Sequence, residues 1–219
     1  MKDKCCSVLF TLAVFVLILT FSIGLPIYFR PFYYAQIESL EITERTGRSY
    51  EEIKEGYDEV LDYLTLPGKE FGTGSFAFSE TGESHFADCK RLFNLNATAF
   101  LVSLAALVII LILKRIGKVK ISSPFGFFPT FFAGATMLSL FLLLSIAVAI
   151  DFDAAFVVFH SVFFPGKDNW IFSPSKDEII LAMPQEFFMN CAILIVSSII
   201  VLSVLCITHG IVSKKRGLR

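Results

Sequence analysis

Four uncharged, apolar stretches dominate this 219-residue sequence, at about residues 7–29, 97–113, 128–150 and 187–207. A bilayer core about 30 Å thick is crossed by a helix of roughly 17–25 apolar residues, and a charge facing lipid inside it is costly. Only 18% of the residues are charged, against about 25% in a soluble domain, so the surplus apolar surface must meet lipid. The sequence predicts an all-α membrane protein, one membrane domain over residues 1–219 with four transmembrane helices.

Positive charge is unevenly distributed among the segments between these stretches. The N-terminus, the loop 114–127 and the tail 208–219 are basic, whereas 30–96 holds 13 acidic against 7 basic residues and 151–186 holds six against two. Short segments rich in Lys and Arg stay on the cytoplasmic side. We therefore expect both termini and the loop 114–127 in the cytoplasm and the loops 30–96 and 151–186 outside. The basic residues that carry this orientation are Lys2, Lys4, Lys114, Arg115, Lys118, Lys120, Lys214, Lys215, Arg216 and Arg219.

The first external loop contains an amphipathic helical pattern over residues 50–64. Apolar residues recur there at helical spacing, acidic residues occupy the other face, and a Leu-Pro-Gly sequence at 66–68 ends the pattern. We expect the apolar face to pack on the outer leaflet or on the second external loop, and a turn or short strand to follow over 71–78. The predicted fold therefore includes two structured extracytoplasmic loops packed on the outer face. The apolar residues of the pattern are Ile53, Tyr57, Val60, Leu61 and Leu64.

Several classes of function receive no support. The cysteine count is odd, at five, and no CxxC pair occurs, so neither a disulfide framework nor a zinc knuckle is expected. The sequence has no HExxH, P-loop or GxSxG motif, and its two external histidines are too few for a catalytic zinc site. Polar residues within the spans are sparse, which does not favour conduction. A net charge of −1 gives no indication of a nucleic-acid partner, and we expect neither a metal nor a nucleic acid to bind.

The segment 83–94 is the first candidate for chemistry, and we expect it to continue the second span outward as a helix. Helical spacing then places Asp88 and Cys89 beside His85. An acid beside a histidine orients the ring and stabilises its protonated form. A solvated polar collar at a helix end explains the same residues equally well. A Cys–His dyad is a further, weaker alternative.

The segment 156–166 is the second candidate. His160 lies in its apolar, aromatic run just beyond the third span. A lone histidine on an apolar face is more often a structural residue than a catalyst, but a second histidine at the same membrane surface favours function. His209, at the cytoplasmic end of the fourth span, is expected to be structural.

Three more residues have both a structural and a functional explanation. Trp170, the only tryptophan, suits an interfacial aromatic belt. Arg30, with Tyr28 close to it in sequence, lies just outside the first span and is suited either to an anionic head group or to an interfacial anchor.

Three sequence segments, together with the four spans, resemble the lipoprotein intramolecular transacylase (Lit) family of Gram-positive bacteria. They are Ser-His-Phe-Ala-Asp-Cys-Lys-Arg-Leu-Phe at 84–93, Phe-His-Ser-Val-Phe-Phe-Pro-Gly-Lys-Asp-Asn-Trp-Ile-Phe at 159–172, and Asp177 followed by Pro-Gln-Glu-Phe-Phe at 184–188. The resemblance covers nearly the whole chain. It implies an enzyme of the bacterial cell membrane whose active site faces outside. Its substrate would be a diacylglyceryl-modified lipoprotein, whose sn-2 acyl chain moves to the α-amino group of the N-terminal cysteine.

The same resemblance implies roles for individual residues. His85 and His160 match the family's proposed functional positions, and we expect them to act as acid–base and oxyanion-stabilising groups, with Asp88 orienting His85. Further residues expected to position the substrate are Ser84, Arg30, Tyr28 and Trp170. No cofactor is required, membrane lipid is the surrounding partner, and a monomer is expected.

A non-enzymatic accessory or sensor protein, which binds a partner through its external loops, is the alternative. It predicts that the two histidines need not converge. The distance between His85 and His160 separates the two hypotheses: about one head group supports catalysis, whereas a buried, packed His160 would count against it.

Overall fold

The computed structural model describes residues 2–215, and among these residues it contains α-helices and turns but no strand. This architecture confirms the predicted all-α membrane fold class. The basic residues Arg216 and Arg219 lie outside the described part, as does the side chain of Lys2. The helices are α1 (Lys2–Tyr28), α2 (Pro31–Tyr34), α3 (Gln36–Ser39), α4 (Ile42–Thr46), α5 (Tyr50–Thr65), α6 (Glu80–Arg115), α7 (Thr130–Ile150), α8 (Phe152–Phe163), α9 (Ile179–Ala182) and α10 (Gln185–Lys215).

Four of these helices, α1, α6, α7 and α10, are long and apolar enough to cross a membrane. Many of their large apolar side chains are exposed, for example Leu101 at 62% and Leu143 at 71%. Lipid covers such side chains in a membrane, whereas in water so large an apolar surface would drive aggregation. The chain is therefore a multi-pass membrane protein. Helix α6 continues well beyond its apolar stretch at its N-terminal end, as the sequence predicts.

The chain divides into two compact units, and the first contains the membrane helices. It comprises α1 up to Gly24, α6 from Asn96, α7 up to Ala149, and α10 from Leu194. Small residues let its helices approach closely, since a Cβ on Gly134 of α7 would lie 2.6 Å from the carbonyl oxygen of Ser203 on α10.

The second unit contains both segments that are predicted to lie outside the membrane. It comprises Leu25–Leu95 and Ile150–Ile193. At its core, the fully buried ring of Tyr33 stacks on Tyr57 with centroids 3.7 Å apart, and Phe187 packs edge-on at 5.1 Å. The Tyr33 hydroxyl donates to the carbonyl oxygen of Ala182 at 2.7 Å, so the buried phenol keeps a hydrogen bond.

Helix α5 joins segments 30–96 and 151–186 through its apolar face. The helix begins at a capping box, in which Ser49 and Glu52 bond each other's backbone amides, and it ends before the Leu-Pro-Gly sequence. Helix α5 contacts α9 of the second segment, in agreement with one of the two packing alternatives left open by the sequence. All five apolar residues predicted for this face are buried: Ile53, Tyr57, Val60, Leu61 and Leu64.

Polar contacts also join the two segments near the start of α6. Asp177, which is 4% exposed, accepts from the backbone amide of Ser79 at 2.9 Å and from its hydroxyl at 2.7 Å. The Ser79 hydroxyl in turn accepts from the backbone amide of Gly82 at 3.1 Å and caps the helix. Arg48 pairs with Glu178 at 2.7 Å. The first turn of α6 is therefore held by residues of both segments.

The residues between α5 and α6 form turns that lie against α5. A Cβ on Gly56 of α5 would lie 2.8 Å from the carbonyl oxygen of Thr73 and 2.7 Å from the ring of Phe76. The segment between α5 and α6 can therefore pack this closely on α5 only because residue 56 has no side chain. Of the two predicted forms, turn or short strand, the structure contains the turn.

We expect Gly56→Ala to destabilise the second unit by about 1–3 kcal/mol, because an added methyl group forces backbone apart in a packed interior. Thermal unfolding followed by the fluorescence of Trp170, which belongs to this unit, measures the change. Glu55→Ala on the exposed side of the same helix is the matched control and should have little effect. Equal unfolding midpoints for both variants would contradict this packing.

Candidate active site

His85 lies in the second turn of α6, and the helix start described above sets its position. The helix extends over its full length from the Ser79 cap, so the side chain at 85 is carried on a rigid element. His85 is 6% exposed. Its Nε2 lies 3.4 Å from the Cys89 sulfur one helical turn later, whereas its Nδ1 is buried without a hydrogen-bond partner among residues 2–215.

His160 lies on α8, the short helix that follows the third span. Asp151 caps this helix by accepting from the backbone amide of Ala154 at 2.9 Å. His160 is also 6% exposed, and its Nδ1 lies 2.7 Å from the carbonyl oxygen of Phe156. Because a carbonyl only accepts, Nδ1 carries the proton, and in the neutral ring Nε2 carries the lone pair.

The two imidazole rings face each other across a short distance. Their centroids are 5.8 Å apart, with an angle of 35° between the ring planes. Aromatic side chains surround the pair: Phe164 lies 4.9 Å from His85, Phe172 lies 5.5 Å from it, and Trp170 stacks on His160 at 4.4 Å. The separation is on the scale of one substrate head group, the distance expected to support catalysis. His160 is nevertheless buried and packed against Phe156 and Trp170, the arrangement expected to count against it.

Asp88 anchors the loop that follows α8 to the helix that carries His85. Its carboxylate binds the ammonium of Lys167 at 2.5 and 2.6 Å and accepts from Nδ2 of Asn169 at 3.0 Å. The carboxylate makes no hydrogen bond to His85 in the described part of the chain. Burial disfavours its ionised form, but Lys167 and Asn169 outweigh this effect and hold the pKa of Asp88 below its ordinary value.

The surroundings keep the histidine pair neutral. Burial, and then the neighbouring His160, lower the pKa of His85 to about 4, although Asp88 and the Asn169 amide act in the opposite direction. Burial also lowers the pKa of His160, against the bond to Phe156. Both rings are therefore uncharged at neutral pH, the state in which an imidazole accepts a proton.

Cys89 touches His85 but is not set up as a nucleophile. Desolvation raises the pKa of its thiol to about 12, and the charge of Asp88 adds to this effect. Because the thiolate is the reactive form, a neutral thiol beside a neutral imidazole does not form an activated dyad.

The remaining predicted site residues fall into two groups. Ser84 is near the cluster, with its hydroxyl 3.4 Å from Nδ2 of Asn169, and Trp170 stacks on His160. Arg30 instead binds Asp58 at 3.0 Å and Asp62 at 2.5 Å on α5, so its guanidinium is engaged within the protein. Tyr28 is 55% exposed.

The structure adds residues to the site that the sequence did not single out. They come from the loop after α8, where Gly166 turns the chain with a φ of +72°. The sequence signal for these residues was the polar Lys-Asp-Asn sequence directly after the Pro-Gly turn. Polar side chains that become buried need hydrogen-bond partners, so such a sequence indicates polar contacts with another segment. The added residues are Asn169, Lys167, Phe164 and Phe172.

The geometry bears on the alternatives drawn from the sequence. A solvated polar collar requires exposed side chains, yet His85 is 6% and Asp88 is 8% exposed. The non-enzymatic alternative has no need for the histidines to converge, yet their rings lie 5.8 Å apart in one aromatic cluster. Both observations count against a solvated surface, whereas the burial of His160 is the outcome expected to count against catalysis.

Comparison with known proteins points to one family. The family profile described as "Lipoprotein intramolecular transacylase Lit" matches residues 8–188. The structure is similar to that of the membrane integral lipoprotein intramolecular transacylase Lit from Bacillus cereus. The TM-score is 0.85 at 27% identity, with 98% of this chain and 97% of that chain covered. Variants of that protein with the mutations H85R and H85A are also similar, each with a TM-score of 0.79, at 26% and 25% identity and with 99% of this chain covered. The alignments cover 95% and 96% of those chains. A comparison with curated protein sequences gives no match.

We expect the His85 ring to titrate with a midpoint near pH 4, and we expect His160→Ala to raise that midpoint. The substitution removes a neighbouring ring that disfavours the charge on His85 and opens the pocket to water. Imidazole NMR on the purified protein in lipid nanodiscs measures the titration. His209→Ala, in the membrane unit, is the control and should leave the midpoint unchanged. A midpoint for His85 that does not respond to His160→Ala would show that the rings are uncoupled.

Proposed function

The chain belongs to the lipoprotein intramolecular transacylase family and is an enzyme of that class; we propose that its substrate is a diacylglyceryl-modified lipoprotein. The reaction moves the sn-2 acyl chain of the N-terminal S-diacylglyceryl cysteine to the α-amino group of the same cysteine. The product is a lyso-form lipoprotein with an N-acyl chain and an S-monoacylglyceryl group. Family membership and the paired histidines at 5.8 Å support this proposal together.

The bonds and protons of this reaction balance without any further reactant. The amine nitrogen attacks the sn-2 ester carbon, a C–N bond forms, and the C–O bond to glycerol breaks. One proton leaves the amine and one proton arrives on the glycerol oxygen, so a base that later acts as an acid is sufficient. Because donor and acceptor belong to one molecule, holding them close supplies a large part of the rate enhancement. No cofactor is required.

We assign the proton transfers to His85 and His160. Both are neutral at neutral pH, and His160 has its Nε2 lone pair free in the described structure because Nδ1 is bound to Phe156. His85 is the candidate base that takes the amine proton, and His160 is the candidate shuttle to the leaving oxygen, although the roles are exchangeable by geometry. In this assignment, the histidine that is protonated first also faces the oxyanion. The negative charge of the oxyanion stabilises the imidazolium in the buried site.

The low pKa of His85 is compatible with this assignment. In the substrate-free pocket, burial and His160 disfavour the imidazolium. A tetrahedral oxyanion brings a negative charge into the same pocket, which favours the protonated ring just when the reaction needs it. The site thus favours charge on the histidine in the transition state over charge in the resting enzyme.

Supporting roles follow from the contacts. Asp88 fixes the loop that carries Asn169 and Lys167, Ser84 lies at the edge of the same cluster, and Trp170 holds the His160 ring from one face. Arg30 and Tyr28 remain candidates for the substrate's polar region. The ion pairs of Arg30 with α5 indicate that its guanidinium has a structural role as well.

We place this site at the outer surface of the bacterial cell membrane, with both termini in the cytoplasm. The charge asymmetry of the loops supports this orientation. The side chains packed against the two histidine rings are mostly aromatic, which suits an ester carried by a lipid. A monomer suffices, since one chain supplies both histidines.

We expect His85→Ala and His160→Ala each to reduce formation of the lyso form by about 10²–10⁴-fold, the contribution typical of general acid–base residues. Mass spectrometry of lipoprotein N-termini from cells that express each variant measures the conversion. His209→Ala is the control and should retain full conversion. Membrane insertion of each variant is checked by immunoblot. Full conversion by the well-inserted His85 and His160 variants would refute the histidine mechanism.

We expect Cys89→Ala to retain most of the activity, because a thiol whose pKa is raised to about 12 does not supply a thiolate. The same N-terminal mass spectrometry measures the conversion, and intact-protein mass spectrometry tests for an acyl group on the enzyme. Loss of activity together with a mass increase of one acyl chain on the wild type would establish an acyl-thioester route instead.

A further inference from the structure

Two complementary polar atoms lack hydrogen-bond partners in the cluster around Asp88. Among residues 2–215, four buried side-chain polar atoms have no partner, and two of these are Nδ1 of His85 and Oδ1 of Asn169. The other two, the hydroxyls of Ser22 and Ser203, belong to the membrane unit. A ring nitrogen can donate, whereas an amide oxygen can only accept, so the two atoms of the cluster match each other. Both side chains are more than nine-tenths buried, since Asn169 is 9% and His85 is 6% exposed.

The direction of the Asn169 amide is set by Asp88. Its Nδ2 donates to Asp88 at 3.0 Å. A carboxylate that also binds Lys167 is ionised and can only accept, so the amide nitrogen must face Asp88. The amide oxygen therefore points away from the carboxylate. This chemical constraint resolves the usual ambiguity between the two ends of an amide.

Resting on the proposed function of His85 as a base, we propose that Asn169 is its positioning residue. The amide oxygen is the acceptor for the proton on Nδ1 of His85, a bond that is not formed in the described structure and that would hold the ring in the tautomer whose lone pair is on Nε2. Asp88 then acts on the imidazole through Asn169, in a chain from carboxylate to amide to ring. The helical spacing predicts that Asp88 orients His85 directly. In this proposal Asp88 orients His85 only through Asn169.

A neutral amide suits this position better than a carboxylate would. A carboxylate in direct contact with Nδ1 would stabilise the imidazolium and raise the pKa of the ring toward the working pH, so that fewer rings would be free to accept a proton from the substrate amine. An amide fixes the tautomer and adds no net charge. Burial and His160 lower the pKa of His85 in the described structure, and the Asn169 amide only moderates this effect.

The loop that carries Asn169 is held tightly enough for such a role. Lys167 binds the same carboxylate two residues earlier, and Phe172 packs on Phe86 of α6 with centroids 5.7 Å apart. Trp170 stacks on His160 from the next position in the chain. Neighbouring residues of one loop therefore contact both histidines.

The test compares Asn169→Ala and Asn169→Asp with wild type in imidazole-nitrogen NMR on the substrate-free protein in nanodiscs. We expect His85 to be in the Nδ1–H tautomer in the wild type and to gain the Nε2–H tautomer in Asn169→Ala. In Asn169→Asp we expect its titration midpoint to rise by about one pH unit or more, since a carboxylate replaces the amide. Asn190→Ala is the matched control, because Asn190 Nδ2 donates to Gln36 at 2.6 Å in the same unit, and it should change neither quantity.

Activity gives the second readout. We expect Asn169→Ala to lower the rate of lyso-form production by about 10- to 100-fold, the usual effect of removing a hydrogen bond that orients a working histidine. We expect Asn169→Asp to retain more activity and to shift the acid limb of the pH–rate profile to higher pH. A purely structural role of Asn169 would lower the rate without moving that limb.

The outcomes separate this inference from the proposed function. The Nε2–H tautomer in wild-type His85, or a tautomer and midpoint that do not respond to either Asn169 variant, would overturn the positioning role and needs no activity measurement. Full conversion by His85→Ala would overturn the proposed function while leaving the Asn169–His85 coupling measurable. If neither variant folds, the tautomer of His85 in the wild-type spectrum alone tests the positioning role.

Discussion

Two buried carboxylates link segments 30–96 and 151–186, which carry the two histidines. Asp88, on the first segment, binds Lys167 and Asn169 of the second, whereas Asp177, on the second, binds Ser79 at the start of α6. The contacts are reciprocal, so each segment supplies an acid that the other satisfies. A buried carboxylate without such partners is strongly unfavourable, which makes the alignment of the segments specific. These contacts, together with the packing of α5 on α9, bring His85 and His160 of different segments close to each other.

The resulting pocket combines apolar walls with a few polar groups. Aromatic side chains exclude water from both imidazoles, which lowers their pKa values and leaves them uncharged. The same exclusion strengthens any interaction between a newly formed imidazolium and an oxyanion. A site of this kind favours charge that arises during the reaction over charge in the resting state. It also explains why Cys89, in the same surroundings, stays a neutral thiol.

Helical periodicity accounts for the parts of the structure that could be predicted. The apolar face of α5 and the outward continuation of α6 follow from side-chain spacing within single segments, and the structure confirms both. The relation of Asp88 to its partners could not be derived in this way. Spacing on one helix places Asp88 beside His85, but Lys167 and Asn169 lie about 80 residues later in the chain and compete for the same carboxylate. Likewise, Arg30 stands alone in sequence, yet Asp58 and Asp62 of α5 bind it.

The sequence by itself determined that this protein lies in a lipid bilayer and that four helices cross the bilayer. The length and apolar character of each span are local properties of the chain. Short motifs also identified the two histidines and the family they resemble. Only the tertiary structure decided that the histidines lie in one aromatic cluster, which groups are ionised beside them, and that an asparagine binds Asp88 near them. These features depend on burial and on contacts between distant segments. Neither is encoded at any one position of the chain.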